Sequence, residues 1–321
     1  MNSEPNYSSI LLSWIALTGG LGMLTVGGEI LVTGAAKLAK RLGMSALLIG
    51  LTVVAFGTSM PELFVGIIAL LQEYPDILTG NVIGSNIANV GLILGLCALI
   101  TPLQVSFKSV SRDLYFVLAA SVFVFLVALH GIFPRLLGFI FVLSLIIYTV
   151  LSFRQAANKK LTSTGHIDSA AEKTPSLPAI LLLTVIGLGL LPLGSNFFIK
   201  GAVDIARHLG VSELVIGLTL AAVGTSLPEL ASCLAAIRQR QTEILVGNII
   251  GSNLFNILMV LGFCGLLMPY PLSSNLLTRD IPVMFSMSAV LLPMLAVQQG
   301  LSRLHGFILL SSYIGYLFIL R

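Results

Sequence analysis

Ten apolar runs divide the chain: roughly 10–39, 45–71, 78–101, 114–129, 134–152, 178–206, 212–237, 244–268, 281–297 and 303–320. They are continuous rather than alternating, which reads as helix; the strands of a membrane barrel would alternate apolar and polar positions. Their lengths suit the roughly 20 residues that one crossing of a bilayer needs. Connections are short except at 153–177, where Arg154, Lys159, Lys160, Asp168, Glu172 and Lys173 gather among Ser, Thr and Pro. The pattern predicts an all-α polytopic membrane protein of ten transmembrane helices.

Laid over itself at an offset of 167, the chain repeats. GLTVVAFGTSMPEL (50–63) returns as GLTLAAVGTSLPEL (217–230), with ten of 14 positions identical, and GNVIGSNIAN (80–89) returns as GNIIGSNLFN (247–256), with seven of ten. The same offset pairs Gly27 with Gly194, Gly34 with Gly201, and Arg112–Asp113 with Arg279–Asp280. Two homologous halves of five helices follow. They comprise 1–152, with its motifs at 50–96, and 178–321, with its motifs at 217–263, joined by the loop 153–177. Five is odd, so the second half enters the membrane from the opposite side, an inverted repeat of the kind secondary transporters use.

Composition agrees. Of 321 residues, 56% are hydrophobic and 9% charged, and mean hydropathy is +1.02, whereas a soluble domain carries about 25% charged residues. The net charge of +4 does not point to nucleic acid, because the basic residues lie scattered at the ends of apolar runs. Loops after the odd-numbered runs hold 12 of the 17 Lys and Arg: Lys37, Lys40, Arg41, Lys108, Arg112, Arg154, Lys159, Lys160, Lys173, Arg238, Arg240 and Arg303. The excess of basic residues on cytoplasmic loops therefore places 153–177 in the cytoplasm and both termini outside. Before the first run, MNSEPNYSS has no basic stretch, unlike a cleaved signal. Cys97, Cys233 and Cys264 lie inside apolar runs and read as packing residues; no Cys/His spacing suggests zinc.

The chemistry sits in the repeated motifs. Pro61 withholds a backbone donor and clashes with the turn before it, so a helix through GTSMPE must break or kink. The freed carbonyls then need a partner inside the membrane. Thr58 and Ser59 can cap the half-helix that Pro61 begins, and Glu62 shares their face; Thr225, Ser226, Pro228 and Glu229 repeat the arrangement. Asn81, Ser85 and Asn89 recur every four residues as one polar stripe, as do Asn248, Ser252 and Asn256. An acid at mid-membrane is costly and marks function, so Glu62 and Glu229 are the primary candidates. Asn81, Asn86, Asn248 and Asn253 read as structural. So does Glu29, whose repeat partner is Asn196, and Arg112–Asp113 and Arg279–Asp280 read as helix-end charges. Carboxylates, hydroxyls, amides and carbonyls form an all-oxygen donor set, which suits hard cations such as calcium or sodium. Two carboxylates balance one divalent ion.

At these motifs the sequence resembles the sodium/calcium exchanger family of the calcium/cation antiporter superfamily, whose paired signatures are GTSxPE and GSNxxN. The resemblance covers nearly the whole chain and implies the 5+5 inverted fold, with an ion site between the second, third, seventh and eighth helices. It assigns Glu62 and Glu229 to calcium and sodium, and Thr58 and Thr225 to calcium through their carbonyls. Ser59, Ser85, Ser226 and Ser252, with the carbonyls of Ala55 and Ala222, fit flanking sodium sites, and Asn89 and Asn256 stand at the centre. It also implies that the first and sixth helices slide over a rigid core. Many relatives carry Asp at one of the two central positions; here both are Asn.

The expectation is a secondary antiporter of the inner membrane, not an enzyme, that exchanges calcium for sodium and has calcium, sodium and the lipid bilayer as its partners. No cofactor is expected. Exchange against protons or another cation is the alternative, and a passive channel remains open. An intramembrane hydrolase using Ser59 or Ser226 lacks a histidine base in any span.

Overall fold

The computed structural model describes residues 5–162, 176–211, 224–298 and 300–320. Among the described residues eight helices are long and apolar enough to cross a bilayer: α1 (Ile10–Leu42), α2 (Ala46–Leu71), α3 (Pro75–Ile100), α4 (Phe107–Ala128), α5 (Arg135–Asn158), α6 (Leu177–His208), α8 (Thr242–Leu267) and α9 (Leu276–Val297). Two shorter helices complete the described set, α7 (Leu227–Arg238) and α10 (Arg303–Ile319). The protein is thus a helical polytopic membrane protein. The fifth helix continues to Thr162, ten residues past the apolar run that ends at 152, so the polar stretch taken to begin at 153 starts inside a helix. The remainder of that stretch, 163–175, lies outside the described residues.

Burial separates centre from periphery. The α8 window is entirely enclosed by protein and that of α3 is 72% buried, against 28% for α1 and α6. The motifs explain this: Gly50, Gly247 and Gly251 remove the side chains that would keep α2 and α8 apart. A methyl at Gly247 would stand 2.4 Å from the Leu47 carbonyl oxygen, and one at Gly251 2.5 Å from that of Leu51. Small residues at such crossings let packing replace the hydrophobic drive that a bilayer does not supply.

The peripheral helices α1 and α6 pair antiparallel along most of their length. Glycines spaced by seven line the contact, Gly20, Gly27 and Gly34 on α1 against Gly187, Gly194 and Gly201 on α6. At one end of the pair, Asp204 receives the chain before α1: the Asn6 and Tyr7 backbone nitrogens and Asn6 Nδ2 all donate to its carboxylate at 2.9 Å. Two short antiparallel ladders tie the remaining loops crosswise. β1 (Leu103–Gln104) pairs with β4 (Gly300–Leu301), and β2 (Ile132–Phe133) with β3 (Tyr270–Pro271), where the Phe133 and Tyr270 rings stack at 5.0 Å. Near the ends of α4 and α9 the two Arg–Asp pairs do more than sit as terminal charges. Tyr148 donates to Asp113 at 2.7 Å and Tyr316 to Asp280 at 3.1 Å, each joining its helix to the next but one element.

The close pairing gives a stability test. A Cβ at Gly20 would fall 2.4 Å from the Phe198 nitrogen, whereas one at Gly22 meets nothing within 4 Å. Gly20→Ala should lower the thermal midpoint of the purified protein by an amount corresponding to roughly 1–3 kcal/mol, the usual range for overpacking. Gly22→Ala should leave it unchanged or slightly raised, since Ala favours helix over Gly. Equal midpoints for the two variants would refute backbone contact at Gly20.

Candidate functional site

Both GTSxPE motifs break their helices at the serine. The α2 helix stops at Thr58 and restarts at Met60 around Ser59, whose φ and ψ are −84° and 0°; Ser226 occupies the same bridge conformation at −87° and 4° before α7. Proline in the first turn accounts for the restart. Pro228 also leaves the Gly224 carbonyl without its helical donor, and Ser195 Oγ on α6 supplies one at 2.7 Å. At the matching place on α1 stands Gly28, which has no hydroxyl to give. The second motif also deforms its helices, since π-helical turns begin at Asn89 and at Asn256, a local widening common at functional sites.

The expected capping does not occur. Neither Ser59 nor Ser226 makes a side-chain bond to the helix it precedes, and their Oγ atoms are buried without a partner. Thr58 turns across to α8 instead, donating to Asn248 Oδ1 at 3.1 Å and lying 3.2 Å from Ser252 Oγ. Thr225 does the same toward α3, donating to Asn81 Oδ1 at 3.1 Å and lying 3.5 Å from Ser85 Oγ. The threonines are better used between helices than within them, because the alternative is an unmatched polar group in an apolar interior.

Glu62 and Glu229 are fully buried. Glu62 Oε1 has one distant donor, Ser85 Oγ at 3.5 Å, and its Oε2 has none; both oxygens of Glu229 are unpartnered. Among the described residues no Lys, Arg or His forms an ion pair with either acid; the basic partners go to Asp113, Asp204, Glu29 and Asp280. The Thr225 hydroxyl neighbours Glu62 and that of Thr58 neighbours Glu229. The Oδ1 atoms of Asn89 and Asn256 are buried and unpartnered as well. Thus, among the described residues, Ser59, Glu62, Asn89, Ser226, Glu229 and Asn256 all hold acceptor oxygens without a hydrogen-bond partner. No group of three or more His, Cys, Asp and Glu occurs among the described residues, so the donor set is two carboxylates with hydroxyls and amides. Such a set can take the place of a hard cation's hydration shell.

The structure therefore brings Thr58, Ser59, Glu62, Ser85, Asn89, Thr225, Ser226, Glu229, Ser252 and Asn256 into contacting helices. The Ala55 carbonyl already accepts the Ser59 nitrogen at 3.0 Å and Thr58 Oγ1 at 3.4 Å, and Ala222 lies outside the described residues. Asn81 and Asn248, read from sequence as structural, join this network as the acceptors of the two threonines. Their place in the same four-residue stripe as Ser85 and Ser252 was the available signal.

Access is lopsided. A cavity of about 1120 Å³ reaches Asn81, Ser85 and Thr225 and is lined further out by Phe64, Asn196 and Lys200. It lies on the side of the membrane domain where Asp204 of α6 receives the chain before α1. On the other side α1 lies directly on α7: a methyl at Gly28 would be 2.8 Å from the Ala231 carbonyl oxygen. A clasp holds that contact. Gln239 Nε2 donates to Glu29 Oε2 at 2.7 Å and to the Glu29 carbonyl at 2.9 Å, Thr33 Oγ1 donates to Gln239 Oε1 at 3.2 Å, and Arg238 pairs with Glu29 at 3.2 Å.

Comparison with known proteins follows this geometry. The family model described as "Sodium/calcium exchanger protein" matches residues 12–154 and again 179–321. The chain is 36% identical over 317 residues to the putative antiporter CaxA of Alkalimonas amylolytica, covering 97% of this chain and 99% of that one. It is 33% identical over 346 residues to the sodium/calcium exchanger MaX1 of Methanosarcina acetivorans, covering 97% and 99%. A structure of the sodium-calcium exchanger NCX_Mj soaked with 2.5 mM Na+ and 0.1 mM Ca2+ superposes with a TM-score of 0.84 at 33% identity, covering 98% of this chain and 100% of that one. This chain belongs to the sodium/calcium exchanger protein family.

Proposed function

We propose that the protein is a secondary antiporter that exchanges calcium for sodium by alternating access. The observation that carries this reading is the pair of buried carboxylates, Glu62 and Glu229, without basic partners and ringed by unsatisfied oxygens. In their ionised form such groups are tolerable at membrane depth only when a cation balances them. One calcium or two sodium ions balance their charge, so competition for the same oxygens couples the two fluxes. Thr58, Ser59, Ser85, Asn89, Thr225, Ser226, Ser252 and Asn256 complete the proposed site, with the carbonyls of Ala55 and Ala222 at its flanks.

The architecture we infer is ten spans in two inverted five-helix repeats, 1–152 and 178–321. The doubled family match at an offset of 167 supports it, as do the reciprocal bonds Thr58–Asn248 and Thr225–Asn81. With the basic loops in the cytoplasm, both termini lie outside, the cavity faces outward and the Glu29 clasp closes the cytoplasmic side. The α1/α6 pair then slides over the core formed by α2, α3, α7 and α8, and the clasp opens as the cavity closes.

Reconstitution tests exchange directly. An outward sodium gradient imposed on proteoliposomes should drive calcium uptake against its own gradient. Uptake driven by a proton gradient alone would move the coupling to protons, and flux that only dissipates the calcium gradient would make the protein a channel.

Glu62→Gln and Glu229→Gln should each reduce calcium exchange at least 100-fold with the thermal midpoint nearly unchanged. Removing one charge leaves the divalent ion undercompensated in a weakly screened site; uptake at a third of the wild-type rate in either variant would remove that residue from the site.

Orientation is read by labelling. A cysteine replacing Gly165 should resist a membrane-impermeant maleimide in intact cells, and one replacing Ser3 should react; the opposite pattern would invert the topology.

The clasp can be loosened by Glu29→Leu, which leaves Arg238 without its acceptor and Gln239 with only the backbone carbonyl of residue 29. A cysteine at Ala235, which is buried and whose Cβ would lie 3.3 Å from a methyl at Gly28 of α1, should then react faster with a reagent supplied on the cytoplasmic side of inverted vesicles. Labelling as slow as with Glu29 in place would show that the clasp does not hold this side shut.

A further inference from the structure

Four asparagines meet where α3 crosses α8, all of them at most 3% exposed. Asn89 Nδ2 donates to Asn253 Oδ1 at 3.0 Å, and Asn256 Nδ2 donates to Asn86 Oδ1 at 3.1 Å. The bonds are exchanged reciprocally between the halves, since residues 86 and 253, and 89 and 256, are related by the offset of 167. Asn86 Nδ2 donates in turn to the backbone carbonyl of Asn253 at 3.2 Å. The Oδ1 atoms of Asn89 and Asn256 are left buried and without partners.

An asparagine amide is nearly the same shape turned end for end, yet one end accepts and the other donates. Beside a cation the difference decides the sign of the interaction: the oxygen attracts the ion and the NH2 repels it. Which way an amide points is fixed by its hydrogen-bond network, and here the network has a definite origin. A backbone carbonyl in a helix cannot donate, so the Asn253 carbonyl takes the NH2 of Asn86. This turns Asn86 Oδ1 toward Asn256, which must answer with its own NH2. Turning Asn256 round would break a buried bond and set two oxygens against each other, a loss of the size that unsatisfied buried groups incur. The second arm runs in the same sense, Asn89 Nδ2 donating to Asn253 Oδ1, and turning Asn89 alone would set its oxygen against that of Asn253.

We propose that Asn86 and Asn253 are positioning residues that each lock the central amide of the opposite half with its oxygen toward the ion. The inference rests on the exchange reading of the site and adds to it the residues that give its neutral ligands their polarity. It also explains why two asparagines suffice at the centre. With their NH2 groups engaged, Asn89 and Asn256 present only acceptors, as a carboxylate would, without its charge.

The test is calcium and sodium binding to the purified full-length protein by titration calorimetry. Asn253→Ala removes the acceptor that holds Asn89, and Asn86→Ala removes the one that holds Asn256. Each should weaken calcium binding about tenfold while the ion-free protein elutes as a single species. Asn253→Asp keeps an acceptor oxygen at the same place and should bind within threefold of wild type or more tightly. A merely structural role would not distinguish these two substitutions at 253. The proposal is overturned if either alanine variant binds within twofold of wild type, or if Asn253→Asp loses as much as Asn253→Ala. Should one alanine variant fail to fold, the other tests the opposite arm independently. A wild type that binds neither calcium nor sodium overturns the exchange reading itself, and the lock with it.

Discussion

Two carboxylates buried in a membrane domain without counter-ions set the terms for everything around them. The idealised penalty for moving one such ion into a low-dielectric interior is tens of kcal/mol, and after relaxation it is still several. Structural acids elsewhere in this protein avoid that position: Asp113 and Asp280 are each held by an arginine and a tyrosine, and Asp204 collects backbone donors. Glu62 and Glu229 have no such help. Apart from the distant Ser85 hydroxyl at Glu62, their fixed compensation is the position each occupies in the first turn of a half-helix, where the positive end of the helix dipole favours an anion. That compensation is partial by nature, which is what a reversible cation site requires. A full ion pair would hold the acids satisfied and leave nothing for a transported ion to do.

The helix breaks follow from the same constraint. A continuous helix would carry the acids on its side and present no backbone to the interior. Breaking it at Ser59 and Ser226 brings both a positive N-terminus and a preceding carbonyl turn to one depth. The π-turns at Asn89 and Asn256 perform the complementary operation on the facing helices, widening the coil where the amides project. Irregular backbone at membrane depth survives only where protein or a polar cavity satisfies it. The bond from Ser195 to the Gly224 carbonyl is an instance, a peripheral helix satisfying a group that the proline set free.

Much of this was legible in the sequence, for identifiable reasons. Proline chemistry is local, so the break in GTSMPE could be read from Pro61 alone. The cost of an intramembrane acid is likewise context-free, and it singled out Glu62 and Glu229. What could not be read was the direction in which hydroxyls and amides turn. Thr58 and Ser59 looked like caps because capping is the local option; in the folded chain Thr58 finds Asn248 and Ser252, 190 and 194 residues away. Asn86 and Asn253 looked like packing residues because their partners, too, lie on the opposite half. Glu29 was set aside because Asn196 breaks its symmetry, yet it is the anchor of the clasp with Gln239. The extension of α5 to Thr162 was hidden by its polar residues, which a helix leaving the apolar layer can carry without penalty.

Symmetry and its violations divide the residues by task. Positions that match across the offset of 167 (the glutamates, the threonines, the serines of the breaks and the four crossing asparagines) lie at the centre, where, in the proposed site, both halves present the same ligands to one ion. Positions that differ lie on the α1/α6 pair and at the outer ends of the half-helices. Gly28 corresponds to Ser195, Glu29 to Asn196, Thr33 to Lys200 and Arg238 to Leu71 in the register of the repeat. If both sides closed with identical contacts, the two access states would have equal energy by construction. Unequal contacts bias the resting state by the difference between the two closures. Here the clasped side carries one ion pair and three hydrogen bonds from Gln239 and Thr33, and its counterpart Asn196 and Lys200 line the open cavity. A surface-type ion pair contributes about 0.2–1 kcal/mol and each hydrogen bond about 1 kcal/mol net. Under the proposed alternating access, an imbalance of that order would select one state without trapping it, because a bound cation need only outweigh a few kcal/mol to reverse the preference.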